Sequence, residues 1–481
     1  MIEIGVSFIG KGKTLYLSLR GGRHDRRSNL RISRLLRSYR PRNGIKINNC
    51  IILAFYFLIS IFFLIPQFVF AEEYKFEISE TEKKPYHLGG YIEFRPILFG
   101  LDKDAALYKL KFYNRDEGSI IYEYNSKLQL EGSFEYGISR LYMKTNTDYK
   151  KSYLGENQKT TIYEGYLSIK PSSSLTIDAG KKTLKWGKGY AWNPVAFIDR
   201  PKDPDEPELA LEGFIVLSAD YIKSFGGPLK TVSITPVIIP VYEHVNDTFG
   251  DRKELNFAMK LYLLLYDTDI DLIFLTGGSK TTRYGIDFSR NITTNFEIHG
   301  EFAFINNFKK RFIDRNGEGF EKVYDAKSYL IGLRYLTALD TTYIFEYYRN
   351  GTGFTTNEMR DYFSFIDKAY DSYISSGSDT LLKKAMNLTE GNYGRINPMR
   401  DYLYLRISQK EPFDILYFTP SITWIFNVND KSFSLSPELL YTGITNLELR
   451  LKAALITGER LSEYGEKQND YRIEFRARYY F

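Results

Sequence analysis

The last eleven residues of this 481-residue chain restrict its fold more than any other stretch. From Tyr471 onward the residues alternate in kind. Tyr471, Ile473, Phe475, Ala477, Tyr479 and Phe481 form one set, and Arg472, Glu474, Arg476, Arg478 and Tyr480 form the other. A strand sends successive side chains to opposite faces, so one face is apolar and aromatic and the other is charged. In water such a strand must cover its apolar face, as at the edge of a soluble sandwich. In a bilayer it is one stave of a barrel, with lipid on one side and a wet interior on the other.

The amino-terminal end predicts export. Residues 1–45 are rich in Arg and Lys and lack domain-like periodicity. They read as a basic extension, or as sequence ahead of a start codon placed too far upstream. Residues 46–71 carry the marks of a secretory signal peptide: Lys46, an apolar run from Ile51 to Phe70, and a Val69-Phe70-Ala71 ending cleaved after Ala71. The run is also long enough for an uncleaved membrane anchor. Residues 72–86 would then be a periplasmic lead-in, and 87–481 the membrane domain.

Charge changes sign at this boundary. Residues 1–71 hold twelve Lys or Arg against Glu3 and Asp25. That is a net +10 against +6 for the whole chain, which leaves −4 beyond Ala71. The basic balance therefore does not argue for nucleic acid. Cys50, the single cysteine, precedes the cleavage site, so a cleaved chain has no disulfide and no thiolate to hold a metal. The 40 Tyr and 35 Phe sit in a chain that is 26% charged. That mixture suits a barrel wall with aromatic girdles better than a soluble core.

Alternation recurs near 88–97, 120–131, 133–146, 160–170, 174–186, 211–223, 229–241, 254–266, 269–277, 281–290, 294–306, 325–338, 341–350, 400–409, 413–427, 432–443, 446–458 and 468–481. With the first strand starting in the periplasm, even-to-odd links are short, such as 131–133, 171–174 and 225–228. Odd-to-even links are mostly longer: 98–119, 147–159, 187–210, 242–253, 307–324 and 351–399. The links near Gly277 and Asn429 are short exceptions. A soluble sandwich has no reason to sort loop length by parity. The expectation is an all-β fold: a closed antiparallel transmembrane β-barrel of 16–18 strands with short periplasmic turns and long outer loops, in the outer membrane of a Gram-negative-type bacterium. Barrels of this size usually enclose water.

Two residue groups stand out as candidate sites. Assigning each strand's polar set to the lumen predicts a pore lining of Glu93, Arg95, Glu123, Lys127, Glu448, Arg450, Lys452, Arg472, Glu474, Arg476 and Arg478. This seam is either a basic ladder that attracts anions or a mutually ion-paired wall. The second group lies in Gly180-Lys-Lys-Thr-Leu-Lys-Trp186-Gly187-Lys-Gly189-Tyr-Ala-Trp192-Asn193-Pro194, which runs on to Asp199-Arg200-Pro201 and Glu212-Gly213. Four prolines within 194–207 exclude both strand and helix. Such a stiff loop either folds inward as a constriction carrying Trp186, Lys188, Trp192, Asn193, Asp199 and Arg200, or caps the rim with its Trp rings at the lipid interface.

The terminal Phe481 strand resembles the insertion signal of bacterial outer-membrane barrels. The segment Gly180–Gly213 resembles a hallmark of poorly characterised porin-like outer-membrane families. That resemblance implies a diffusion channel for small hydrophilic solutes, outer-membrane lipid as surroundings, and insertion by the barrel-assembly machinery. It names neither a solute nor an oligomeric state.

The longest loop, 351–399, predicts a helix over Thr356–Ile374. Its stripe is Met359, Tyr362, Phe363, Ile366, Ala369, Tyr370 and Tyr373, with Thr355 or Thr356 as N-cap and Gly377 as stop. A second short helix is expected near Thr380–Met386. The stripe can pack locally, plug the mouth or meet a partner, so a structural or docking barrel is the alternative function. An outer-membrane hydrolase is the third reading and the weakest. Only four His occur, and none forms a His-x-Ser arrangement. No catalytic residue, metal site or cofactor is predicted. Glu297, His299 and Glu301 lie along one strand face too far apart to share an ion unaided.

Overall fold

The computed structural model describes residues 84–481, Asp116 and Asp251 excepted. The extension, the signal peptide and its cleavage site lie outside the described residues. Eighteen strands follow one another. β1 (Tyr86–Leu101), β2 (Ile120–Tyr136), β3 (Ser139–Ser152), β4 (Gly155–Ser172), β5 (Leu175–Lys182) and β6 (Phe214–Ser224) come first. Then come β7 (Leu229–Pro240), β8 (Leu255–Leu265), β9 (Thr268–Gly277), β10 (Arg283–Thr293), β11 (Phe296–Ile313) and β12 (Gly319–Leu336). β13 (Thr341–Arg349), β14 (Asp401–Gln409), β15 (Phe418–Asn427), β16 (Phe433–Ile444), β17 (Leu447–Thr457) and β18 (Asn469–Tyr480) complete the set.

Each strand pairs antiparallel with its sequence neighbours, and β18 returns to pair with β1. The sheet is thus closed. Closure leaves no edge and satisfies the backbone donors and acceptors that hydrocarbon cannot.

The alternation sets which face looks out. On β1 and β18, Ile92, Phe94, Phe475 and Tyr479 are 55, 47, 41 and 50% exposed, whereas Glu93, Glu474 and Arg476 are 4, 2 and 1% exposed. On β2, Tyr122, Tyr124, Leu128, Leu130 and Phe134 are exposed on the same outer surface. A one-residue slip would turn Arg476 and Lys452 outward, at roughly 2–4 kcal/mol for each cation at the bilayer midplane. The pattern therefore fixes register as well as sidedness. No described helix is long and apolar enough to cross a membrane.

Even-to-odd links are short. At 266–267 both Tyr266 and Asp267 have positive φ, the type I′ geometry that matches strand twist. The 410–417 link is the long exception, holding a 3₁₀ turn at Pro412–Asp414.

Three expected links need correction. The turn expected at 131–133 lies within paired strand, and the chain reverses at 137–138. The loops expected at 147–159 and 307–324 are largely strand, because β3 and β4 continue to 153–154 and β11 and β12 continue to 314–318. Lys151, Glu156, Lys309 and Arg311 are exposed on these extensions. Charged residues crowd these extensions and, on β11 and β12, stand among Phe312, Phe320 and Val323, so the regular apolar alternation that reveals a lipid-facing strand is lost while backbone pairing continues.

Among the described residues, three α-helices occupy outer links. α1 (Ala106–Phe112) lies between β1 and β2 and was not expected. α2 (Thr356–Ser376) and α3 (Thr380–Leu388) lie between β13 and β14. Thr355 caps α2 in a reciprocal box with Glu358, and Gly377 ends it at φ +73°. The α2 stripe is spent inside the protein. Met359, Tyr362, Phe363, Ile366 and Ala369 join one buried apolar cluster with Leu382 of α3, Leu110 of α1 and the strand residues Leu330, Tyr402 and Tyr404.

Candidate functional site

The residues linking β5 to β6, 183–213, fold inside the barrel. Their attachment begins at the root, where the Asp199 carboxylate accepts the backbone N–H of Leu184 at 2.9 Å and of Trp186 at 3.0 Å. Arg200 stays at the root as well. Its Nε donates to the Glu212 carbonyl at 3.2 Å, and its guanidinium stacks 4.8 Å from the Phe214 ring.

Strand carboxylates hold the middle of the loop. Glu301 of β11 accepts the N–H groups of Lys188 and Gly189, each at 2.6 Å, the N–H of Val195 at 3.2 Å and the Asn193 amide at 3.1 Å. Glu346 of β13 accepts the N–H of Tyr190 and, at 2.9 Å, that of Ala191. The His299 ring lies 2.9 Å from the same carboxylate. A carboxylate only accepts and has about four lone-pair sites, so it suits a run of backbone N–H groups that no secondary structure satisfies. Gly187, at φ +95°, has no room for a side chain: a Cβ there would lie 2.6 Å from Asn193 Nδ2 and 2.8 Å from Glu301 Oε1.

Apolar contacts seat the rest. Trp186, Val195, Phe197 and Ile198 are buried against inward residues of β6 to β9, among them Val216, Val237, Ala258 and Ile273. Trp192 stacks on Tyr348 at a centroid distance of 5.2 Å and lies near Tyr402 and Tyr404. Neither Trp ring is at the lipid face. Lys188 Nζ reaches Asp271 of β9 at 3.0 Å. The six residues picked out from the sequence are therefore the fasteners of the loop.

The tip crosses to the strands at the seam. Asp205 meets Lys452 Nζ at 2.9 Å, the Arg472 guanidinium, and the Ser436 hydroxyl at 3.1 Å. Glu206 meets Arg476 at 3.5 Å and Arg95 at 3.9 Å. Between the tip and the wall lies a cavity of about 210 Å³, lined by Tyr190, Asp205–Leu209, Arg406, Glu438, Glu448, Arg450, Arg476, Arg478 and Tyr480. A second, of about 400 Å³, lies against β5 to β8 beneath Trp186 and is lined by Asp178, Ser218, Asp220, Ser233, Thr235 and Lys260 among others.

The seam residues are brought together and paired. Arg478 meets Glu93 at 2.6 Å, Arg450 meets Glu438 at 3.4 Å and Glu448 at 3.5 Å, and Glu474 lies 3.9 Å from Arg95. The β2 candidates stand apart from this group. Glu123 pairs with Lys150 at 2.7 Å and Lys127 with Asp148 at 3.4 Å, both on β3. Of the two readings of the basic seam, the geometry is that of an ion-paired wall.

Sequence reasoning missed Glu301 and Glu346 as anchors, and missed Asp205 and Glu206 as counter-charges to the seam. Asp-Pro-Asp-Glu-Pro at 203–207 carried a signal: acids stiffened by proline, in a chain whose last strands hold excess cations. Glu297, His299 and Glu301 are not gathered by the structure. Glu301 is turned to the loop, and His299 lies between Glu346 and, at 3.7 Å, Glu297.

The chain matches no protein-family model and no curated protein. Among solved structures it is similar to OprD of Pseudomonas aeruginosa, at 9% identity and a TM-score of 0.44, over 82% of this chain and 95% of that one. Similar too are OccK5 (OpdH) of Pseudomonas aeruginosa, at 11% identity and a TM-score of 0.46 over 82% and 98%, and OccAB2 of Acinetobacter baumannii, at 9% and 0.46 over 82% and 98%. Likeness at this level carries nothing about what enters the barrel.

Proposed function

We propose that this protein is an outer-membrane channel for small hydrophilic solutes, with its bore narrowed by the loop 183–213. The observation that carries the reading is the loop itself. It is lashed across the interior of a closed barrel by Glu301, Glu346 and the basic seam, and a charged cavity remains beside its tip. A barrel needing only a structural filling has no use for a cavity lined by arginines and carboxylates. Buried charges are costly unless water or partners stay close. Outer-membrane lipid would face the apolar band, and the barrel-assembly machinery would insert the chain through its last strand.

The test is planar-bilayer recording of the refolded mature protein. Discrete conductance steps with measurable ion selectivity are expected. A folded, membrane-inserted barrel that stays silent overturns the reading and favours the docking barrel, whose mouth α1 to α3 would then plug.

A further inference from the structure

We infer that Asp271 of β9 and Asp287 of β10 form a proton-binding site, sharing one proton beneath the loop 183–213, and that this proton keeps the middle of the loop docked. The inference concerns how the loop is seated, so it is tested separately from the channel reading.

Three observations carry it. First, the strand register sets three inward carboxyls side by side. Asp287 lies directly across from Asp271 on one side and from Glu301 of β11 on the other. Asp271, Asp287 and Glu301 are 1, 0 and 3% exposed. Like charges directly opposite each other on a sheet are unfavourable, and burial adds the cost of lost hydration. Second, the donors run out. Glu301 is already taken up by the N–H groups of the loop and the Asn193 amide. Lys188 Nζ serves one oxygen of Asp271 at 3.0 Å, and Lys260 of β8 stands 3.9 Å from the other. Asp271 Oδ1 and both oxygens of Asp287 are buried without a hydrogen-bond partner. Third, the two aspartate side chains lie within hydrogen-bonding reach of each other, yet two ionised carboxylates can only accept. One proton on the pair turns this contact into an O–H···O hydrogen bond and leaves a single negative charge for Lys188. The other ionisable groups around the pair are engaged elsewhere. Tyr262 donates to Asp269, Lys202 donates to the carbonyls of Gly189 and Tyr190, and His299 lies against Glu346. The consequence for the loop follows from linkage. Lifting Lys188 and Gly189 off the wall admits water, and solvated carboxyls ionise near neutral pH. The docked loop thus holds a proton that the released loop gives up, so docking weakens as pH rises. Acid seats the loop and alkali frees it.

The experiment uses the refolded, micelle-bound protein, whether or not it conducts. An infrared difference spectrum at neutral pH, wild type minus Asp287→Asn, should show the C=O stretch of a protonated carboxyl, a band that ionised carboxylates lack. Hydrogen exchange at residues 188–191, corrected for intrinsic rates, should lose protection about tenfold per pH unit between about pH 5 and pH 8, the dependence of one linked proton. Asp287→Asn offers Asp271 an amide donor and cannot ionise, so its protection should change far less over that range. Asp271→Asn should flatten the dependence too, and it takes over both measurements if Asp287→Asn does not fold. His299, Glu346 and Glu301 are intact in both variants, so a pH dependence that survives there belongs to those groups and overturns the inference. A difference spectrum without the carboxyl band overturns it as well, and so does wild-type protection that stays level across the range.

Discussion

Glu301 of β11 accepts the backbone N–H of Gly189 at 2.6 Å from 112 residues further along the chain. The same carboxylate takes three more donors from the loop, so one strand residue fixes the bend between Lys188 and Val195. Hydrogen bonds to a charged acceptor are worth about 1.5–3 kcal/mol each. Glu301→Gln keeps one acceptor oxygen but places an amide among donors. A loss of about 3 kcal/mol would raise the released population of the loop on the order of a hundredfold. The expected outcome is faster flicker in single-channel currents and new protease cutting within 183–213. A variant with wild-type noise and wild-type resistance would show that the apolar seat around Trp186 and Val195 holds the loop without Glu301.

The barrel closes on a reciprocal pair. Gly90 N–H donates to the Phe481 carbonyl and Phe481 N–H donates to the Gly90 carbonyl, both at 3.1 Å. A Cβ on Gly90 would lie 2.1 Å from the Gln129 carbonyl oxygen, so Gly90→Val cannot fit without parting β1 from β2. Deleting Phe481 removes the pair and the last ring of the aromatic face. Both changes should lower the yield of membrane-inserted protein that shifts in mobility on heating. Normal assembly of the deletion variant would mean that the terminal residue is dispensable to the seam.

The barrel was legible in the sequence because lipid imposes a simple rule, apolar out and polar in, on every residue of a spanning strand. Each of the eighteen strands overlaps a stretch marked by alternation, from the β1 pattern Ile92, Glu93, Phe94, Arg95 to the β18 pattern Ile473, Glu474, Phe475, Arg476, although the β2–β3 turn falls later than expected. The rule stops at the membrane surface, so the upper halves of β3, β4, β11 and β12 read as loops. The loop 183–213 could be picked out by its prolines and Trp residues, but not its course. Its fate depends on Glu301 and Glu346, which look like any lumen carboxylate until the backbone N–H groups of 188–191 are brought beside them. The pairing of the basic seam was half legible for the same reason. Glu93 with Arg478 follows from strand closure, whereas Asp205 with Lys452 needs the fold of a loop 247 residues away.

Reversing Arg476 and Arg478 to Glu probes the wall from the other side. Arg476 faces Glu206 and Arg478 faces Glu93, so the reversed pair would set like charges together and push the tip away. The wall would lose four units of positive charge with little change in size. Reversal potentials should move toward cation selectivity at low salt. The shift should shrink as salt rises, because the Debye length falls from ~30 Å at 0.01 M to ~8 Å at 0.15 M. Selectivity that stays the same at low salt would mean that permeating ions do not pass this wall.

The outer link 458–468 carries a pH-dependent fastening. Glu463 is buried there and accepts the Tyr402 hydroxyl and the Asn427 amide, each at 2.7 Å. Burial, with Asp430 nearby, pushes its carboxyl up to about 7. The sign follows from the two states. Below the ordinary carboxylate value of about 4.3, Glu463 is protonated whether the link is docked or released, and docking carries no penalty. Between that value and about 7, only the released form ionises readily, so docking weakens as pH rises and levels off above. A rise of between two and three pH units corresponds to about 3–4 kcal/mol. Hydrogen exchange over 458–468, corrected for intrinsic rates, should therefore report a link that opens more at pH 8 than at pH 5. Glu463→Gln keeps an acceptor for Tyr402 and cannot ionise, so its protection should stay flat across that range at the acidic level. A wild type as well protected at pH 8 as at pH 5 would mean that Glu463 is already ionised in place, held by the Tyr402 and Asn427 donors and by Lys467 nearby.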